Sequence, residues 1–215
     1  LAALRKLRDS DNNLLLRDPT QPLERVDSTA FYAASLQATA EALSLRDQKV
    51  DAQWHEGLAD RCRQALMSLL WCEWSDFFCD LTQDLGLPME IPQTRSLLPF
   101  ALGLVPDDPQ FADALEVLVD PQTLWTPYPI AESAQQPQST GTVRPDLDAM
   151  VADVMADALR NRAQDVIDRL RLRGFIDLYA RLVCEDADPS RPQTRHSYNA
   201  QTGQGEGALD VFTDA

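Results

Sequence analysis

VDSTAFYAASLQATAEALSLRDQKVDAQWHEGLADRCRQALMSLLW, residues 26–71, is where the fold class is legible. Tyr32, Leu36, Ala40 and Leu43 recur at steps of three and four, which predicts an amphipathic helix over 28–45 with Asp27 available as its N-cap. Val50, Trp54, Leu58, Cys62, Leu66 and Leu70 repeat the spacing and predict a second helix over 49–71. Only a few polar residues separate the two. Long helices joined by so short a connection form an antiparallel hairpin.

Outward from this hairpin the pattern changes. WCEWSDFFCDLTQDLG, residues 71–86, crowds aromatics around a short segment, Phe77 to Leu81, that reads as extended or hairpin structure on a loop. Helix is expected again at 96–104 and 109–119, where Phe111, Leu115 and Leu118 share a face and Pro106 and Pro109 punctuate. Residues 121–144 carry Pro121, Pro127, Pro129, Pro137 and Gly141 with little periodicity, and a loop that long tends to be functional. Pro145 fits the first turn of a helix whose stripe is Leu147, Met150, Val151, Val154, Met155, Ala158 and Leu159, with both methionines as core filler. A further helix over 163–183 is expected to be interrupted or tightened at Gly174. Beyond Cys184 the chain turns polar, and Pro189, Pro192, Gly203, Gly205 and Gly207 mark loop. Strand and helix do not alternate, which argues against a doubly wound sheet or a β/α barrel, and no fixed-period repeat supports a solenoid. The expected architecture is all-α: antiparallel helix hairpins, part of an (α/α)6 toroid, with long irregular loops at one end.

Composition narrows the function classes. The 215 residues suit a single domain over 1–215 with a real core. Nineteen Lys and Arg against 34 Asp and Glu give a net charge of -15, which repels phosphate backbones and anionic membranes, so nucleic-acid and membrane partners are not expected. Cys62, Cys72, Cys79 and Cys184 form no CxxC pair and have only His55 and His196 to help them, so neither a metal site nor any cofactor is expected. No apolar run approaches the roughly 20 residues that span a bilayer. The chain begins with Leu1 and shows no secretory pattern, which suggests a piece of a longer protein and a cytoplasmic location.

Six blocks occur in order: VDSTAFYAASLQATAEAL (26–43), LWCEWSDFFCDL (70–81), SLLPFALGLVP (96–106), LWTPYPI (124–130), GTVRP (141–145) and HSYNAQTGQGEGA (196–208). Together they resemble the six-hairpin glycosidases of the trehalase, glycoside hydrolase family 63 and mannosylglycerate hydrolase-like group. The resemblance implies the C-terminal half of an (α/α)6 barrel whose loops build a sugar pocket, and an inverting glycosidase acting on glucoside- or mannoside-type small saccharides. Inversion needs a carboxylic acid and a carboxylate base roughly 6.5–9.5 Å apart. In the group the acid lies in an SGxDxS-like block upstream of VDxxA; Asp9, Asp11 and Asp18 lack those neighbours. The base is the Glu of an ExYxPxTG-like block, and here His196 stands in its place, a residue able to serve as a base near neutral pH. Glu206 is a weaker substitute, because its glycine neighbours suggest a mobile turn. In a WxGPxWP-like block the aromatic pair is replaced by Ser139 and Arg144, and Phe212 stands where Trp is usual.

The candidate residues follow. Trp125 and Tyr128 either stack on a pyranose ring or tack their loop to the core. Asp80 either hydrogen-bonds sugar hydroxyls or closes a turn. Arg144 and Tyr198 complete the expected substrate contacts, and His196 is the candidate catalytic residue. Trp54, Trp71 and Trp74 are expected in or near the core and His55 on the surface. The alternative to a glycosidase is a non-catalytic carbohydrate-binding or scaffold barrel that has lost its carboxylates.

Overall fold

The long helix α1, Val26–Leu45, starts without a capping side chain of its own. In this computed structural model, which describes residues 14–89, 91–134, 141–162, 167–185 and 195–209, the chain divides into two compact units, Leu1–Glu90 with Leu98–Pro106, and Ile91–Leu97 with Asp107–Ala215. Ser139, Phe212, Asp9 and Asp11 lie outside the described residues.

In the first unit the strands β1 (Leu16–Arg17) and β2 (Leu23–Arg25) pair antiparallel and lead directly into α1. The turn between them is closed by Asp18, whose Oδ1 accepts from the Thr20 amide at 2.7 Å and the Thr20 hydroxyl at 2.6 Å. Asp27 is not the N-cap: that position is Arg25, in extended conformation, and Asp27 falls in the first helical turn, where its charge suits the helix dipole. Val26, Ala30, Tyr32, Ala33, Leu36 and Ala40 are the buried apolar face of α1. After a turn through Asp47, in the left-handed region at φ 58°, helix α2 runs from Lys49 to Ala65 and packs antiparallel on α1, as the spacing predicts.

The stripe predicted for α2 holds at Leu58 and Cys62 and fails at its start. Val50 is 81% exposed and Trp54 is 52% exposed. Ala52, Leu58, Ala59 and Cys62 are the buried residues of α2, the predicted stripe continues buried at Leu66 and Leu70, and both Val50 and Trp54 stand two residues from Ala52, on the opposite side of the helix. Residues Leu66–Leu70 form a π-helical turn, followed by the hairpin of β3 (Trp71–Cys72) and β4 (Phe77–Phe78). Phe78 meets Trp71 and Phe100 edge-on, with centroids 5.0 and 5.8 Å away. Trp74, at the hairpin tip, is 59% exposed rather than near the core. Strand β5 (Leu81–Thr82) joins β2, and Phe100 belongs to the helical turn α3 (Leu98–Ala101).

The second unit holds a 3-10 turn, Thr94–Leu97, helix α4 (Ala114–Val119), strand β6 (Thr142–Val143), helix α5 (Pro145–Asp157), helix α6 (Arg169–Glu185) and strands β7 (Arg195–Asn199) and β8 (Gly205–Leu209). Strands β6, β7 and β8 form an antiparallel sheet in that order, and Ala131 bridges the other side of β6 at Val143. The all-α expectation is therefore corrected by three small sheets. Their strands are two to five residues long, too short to show a hydrophobic alternation, and β5 and β6 find their partners β2 and β7 far away in the chain. Helix α6 runs unbroken through Gly174, where Phe175 anchors the next position in the core. Met155 is fully buried as expected, and Met150 is half-buried.

Candidate functional site

The Pro-rich segment expected to be irregular is a built loop. The Ala131 amide donates to the Leu124 carbonyl at 2.9 Å and Trp125 bridges Ile130, so residues 124–131 fold back as a tight hairpin. At its tip the Thr126 amide donates to the Pro129 carbonyl at 3.0 Å, the Tyr128 amide donates to the Thr126 hydroxyl at 3.2 Å, and that hydroxyl donates to the Tyr128 carbonyl. Thr94 ties the base down, its hydroxyl donating to the Ala131 carbonyl at 2.6 Å and its amide to the Glu132 carbonyl at 2.9 Å. Trp125 is half-buried and tilts against Phe175 with centroids 6.1 Å apart. Tyr128 is half-buried against the cluster of Ala131, Val143, Leu182, Tyr198 and Ala200. Its ring also closes on Gly203, where a Cβ would stand 2.2 Å from the Tyr128 Cε1.

Arg144 follows β6 and is the N-cap of α5. Its guanidinium grips Asp146 through two bonds, of 3.1 and 2.6 Å, and reaches the Glu132 carboxylate at 3.8 Å. Such a two-pronged grip fixes the plane of the guanidinium. On β7 the pairing slips between Arg195 and Ser197, and His196, in the slip, is exposed to solvent. Tyr198 is fully buried at the centre of the sheet, and its hydroxyl accepts from the Arg195 amide at 3.0 Å. Glu206 lies in strand β8 opposite Ser197, not in a mobile turn, and accepts from the Asn199 side chain at 3.4 Å.

Asp80 belongs to the first unit. Its Oδ1 accepts from the Val26 amide at 2.9 Å, which caps α1 from 54 residues away, and its Oδ2 lies 3.4 Å from the Arg25 guanidinium. Arg25 also pairs with Asp18 and, at 2.6 Å, with Asp27, so one guanidinium gathers three carboxylates. Against the burial of Arg25 these partners hold it charged, while the Thr20 hydrogen bonds bring Asp18 down to about 2. Also in this unit, a groove of about 620 Å³ between α1 and α2 is lined by Gln37, Glu41, Ser44, Glu56, Asp60 and Arg63 among others, and by none of the candidates.

The loop and sheet of the second unit thus carry Trp125, Tyr128, Arg144, His196 and Tyr198, and Asp80 is elsewhere. Sequence reasoning missed Asp148. It is fully buried, neither carboxylate oxygen is in a hydrogen bond, and burial pushes its carboxyl well above the usual range. Its signal was an acid three and seven residues from the buried Val151 and Met155, on the apolar stripe itself. Among the described residues no cluster of three His, Cys, Asp or Glu side chains could hold a metal.

The sequence model of the mannosylglycerate hydrolase MGH1-like glycoside hydrolase domain matches residues 2–210. The chain belongs to this family. The solved structures agree on the fold of the six-hairpin glycosidase group. A sialidase superposes over 96% of this chain and 21% of its own length, with TM-score 0.82 and 14% identity. The GH63 mannosylglycerate hydrolase from Thermus thermophilus in complex with glucose superposes over 86% and 42%, with TM-score 0.63 and 19% identity. Neutral trehalase Nth1 from Saccharomyces cerevisiae superposes over 86% and 36%, with TM-score 0.65 and 13% identity. The chain therefore spans well under half the length of each of these three structures. No curated protein matches it. Among the described residues, no helix is long and apolar enough to cross a membrane.

Proposed function

We propose that this glycoside hydrolase family chain is part of a larger (α/α)6 toroid, and that the loop and sheet of its second unit form one wall of a saccharide pocket. The proposed activity is inverting hydrolysis of the O-glycosidic bond of a glucoside- or mannoside-type small saccharide. The observation that carries this reading is the convergence of Trp125, Tyr128, Arg144 and His196 on one sheet-and-loop unit. Trp125 and Tyr128 each offer a partly exposed aromatic face, the surface on which sugar C–H groups pack. Arg144, held by Asp146 and Glu132, presents fixed donors to sugar hydroxyls. His196, exposed and free of the sheet's core, draws the proton from the attacking water. Tyr198 supports that strand from beneath. The general acid comes from the remainder of the toroid, a reading supported by the chain's share of its structural relatives. Four cysteines without disulfides support a cytoplasmic location.

A second reading is a carbohydrate-binding barrel without catalysis, and His196 in the place of a carboxylate favours it. One experiment separates the two: a hydrolysis screen over glucosides and mannosides with wild type and His196→Ala, product anomers followed by NMR. Inverted product that disappears in the variant supports the enzyme. Saccharide binding without turnover in either protein supports the second reading.

A further inference from the structure

Asn199 gathers the turn between β7 and β8. Its backbone N–H donates to the Gln204 carbonyl at 2.9 Å and its carbonyl accepts from the Gly203 amide at 2.8 Å, which closes residues 199–204 into a turn. Its side chain adds what the backbone alone does not. The Oδ1 accepts from the amides of Gln201 and Thr202, each at 3.0 Å, and the Nδ2 donates to the Glu206 carboxylate at 3.4 Å. Asn suits this place because its short amide reaches the backbone N–H two residues on. The strand beneath is fixed independently: Asn199 stands opposite Thr142 on β6, and the Ala200 amide donates to the Gly141 carbonyl at 3.2 Å. Between that fixed point and Gln204, Oδ1 is the acceptor on which the Gln201 and Thr202 amides converge.

What the turn carries is Gly203, in the left-handed region at φ 67°, with the Tyr128 ring where a Cβ would stand and its Cζ 2.5 Å from that point. The ring therefore lies directly against the backbone of the turn, and it also packs against the cluster of Ala131, Val143, Leu182, Tyr198 and Ala200. On its own side, the loop fixes the Tyr128 backbone: the Tyr128 amide donates to the Thr126 hydroxyl at 3.2 Å and the Thr126 amide to the Pro129 carbonyl at 3.0 Å. The angle of the ring is left to what it touches.

We propose that Asn199, 71 residues beyond Tyr128, is a positioning residue for that aromatic ring: its side-chain acceptor fixes the turn, the turn fixes Gly203, and Gly203 sets the angle at which Tyr128 is presented. The consequence for saccharide binding rests on the reading of Tyr128 as a sugar-stacking face; the positioning itself does not. A ring already held at its binding angle loses less freedom when a ligand arrives, so loosening it lowers affinity without removing a single ligand contact.

The test is NMR on the chain with ring-labelled tyrosine, whose four tyrosines give four probes, the Tyr128 signal being assigned by its loss in Tyr128→Phe. Wild type should show cross-relaxation between the Tyr128 ε protons and the Gly203 α protons. Asn199→Ala should weaken it and shift the Tyr128 signal, while Tyr32, in the first unit, keeps its position. Asn199→Gln, whose acceptor is one methylene out of place, should do the same, which provides a reading even if Asn199→Ala does not fold. Asn199→Asp, made together with Glu206→Gln so that two carboxylates do not face each other, keeps the acceptor and should restore the wild-type signal. A Tyr128 signal unmoved by Asn199→Ala and Asn199→Gln, or displaced as far in the Asp variant as in the Ala variant, would overturn the proposal. Titration with methyl glucosides and methyl mannosides keeps the two ideas apart. Affinity should fall by about three- to tenfold in Asn199→Ala and return in the Asp variant. If wild type binds none of these sugars while the Tyr128 signal answers to Asn199, the positioning stands and the proposed function falls; sugar binding with equal affinity in wild type and Asn199→Ala sinks the role of Asn199 in presenting the ring.

Discussion

Asp80 does for α1 what no residue at the helix's own start does. Its carboxylate accepts the otherwise orphaned Val26 amide and at the same time faces Arg25. Asp80→Ala should therefore cost more than an ordinary cap, about 1–3 kcal/mol in chemical denaturation, because it also removes a charge from around a largely buried guanidinium. Asp80→Asn, which can still accept from Val26, should recover part of the loss. Asp18 adds a pH dependence of definite sign. Its carboxyl titrates at about 2 in the fold against 3.8 ordinarily, so its contribution is present above about pH 4 and is lost as the pH falls toward 2. Denaturation midpoints followed from pH 5 to pH 2 should show a shallower acid loss in Asp18→Asn than in wild type. The cluster was half legible in the sequence: Asp18, Arg25 and Asp27 are close in the chain, but Asp80 is 53 residues beyond Asp27, and nothing local announces that the two share one arginine.

At the scale of the element, the β7–β8 hairpin and the 124–131 loop are fitted to each other through Gly203 and Tyr128. Gly203 sits at φ 67° and has the Tyr128 ring where a side chain would go. Gly203→Ala should displace that ring and strain the turn, destabilising the chain by about 1–3 kcal/mol and weakening any saccharide binding that uses Tyr128. Calorimetry and saccharide titration on the same variant check both outcomes. The helices behaved otherwise. Their 3.6-residue spacing was enough to find α1, α2 and α5, because a helix satisfies its own backbone and only its apolar stripe has to be recorded in the sequence. Even so, α2 shows the limit of that signal, since Val50 and Trp54 continue its apolar spacing in the sequence and yet stand exposed at its start.

Across the whole molecule, the four cysteines report on both units. Cys62, Cys72 and Cys79 are buried, and burial pushes the Cys79 thiol up to about 12, whereas Cys184 is exposed. A thiol reagent at neutral pH should modify Cys184 rapidly and the other three only on unfolding, so that one fast and three slow equivalents are counted. Three fast equivalents or more would show that the first unit does not hold its packing in solution. The exposed apolar side chains Leu45, Val50, Trp54 and Trp74 leave that unit with surface able to bind a hydrophobic dye. A native state that binds none would count against the proposal that it packs within a larger toroid.

The helix hairpin, the acidic balance, an extended segment starting at Phe77 and the family were legible in the chain alone, because each is recorded in local spacing, composition or ordered blocks. The fold alone shows that Asp80 caps α1, that the Pro-rich stretch is a tied hairpin, that Tyr198 is core while His196 on the same strand is exposed, and that neither Asp148 oxygen is in a hydrogen bond. The physical reason is the same in each case. A strand, a remote cap and a buried charge depend on partners that lie far away in the chain, and the free energy of each is set by the environment those partners create rather than by the residue's own neighbours.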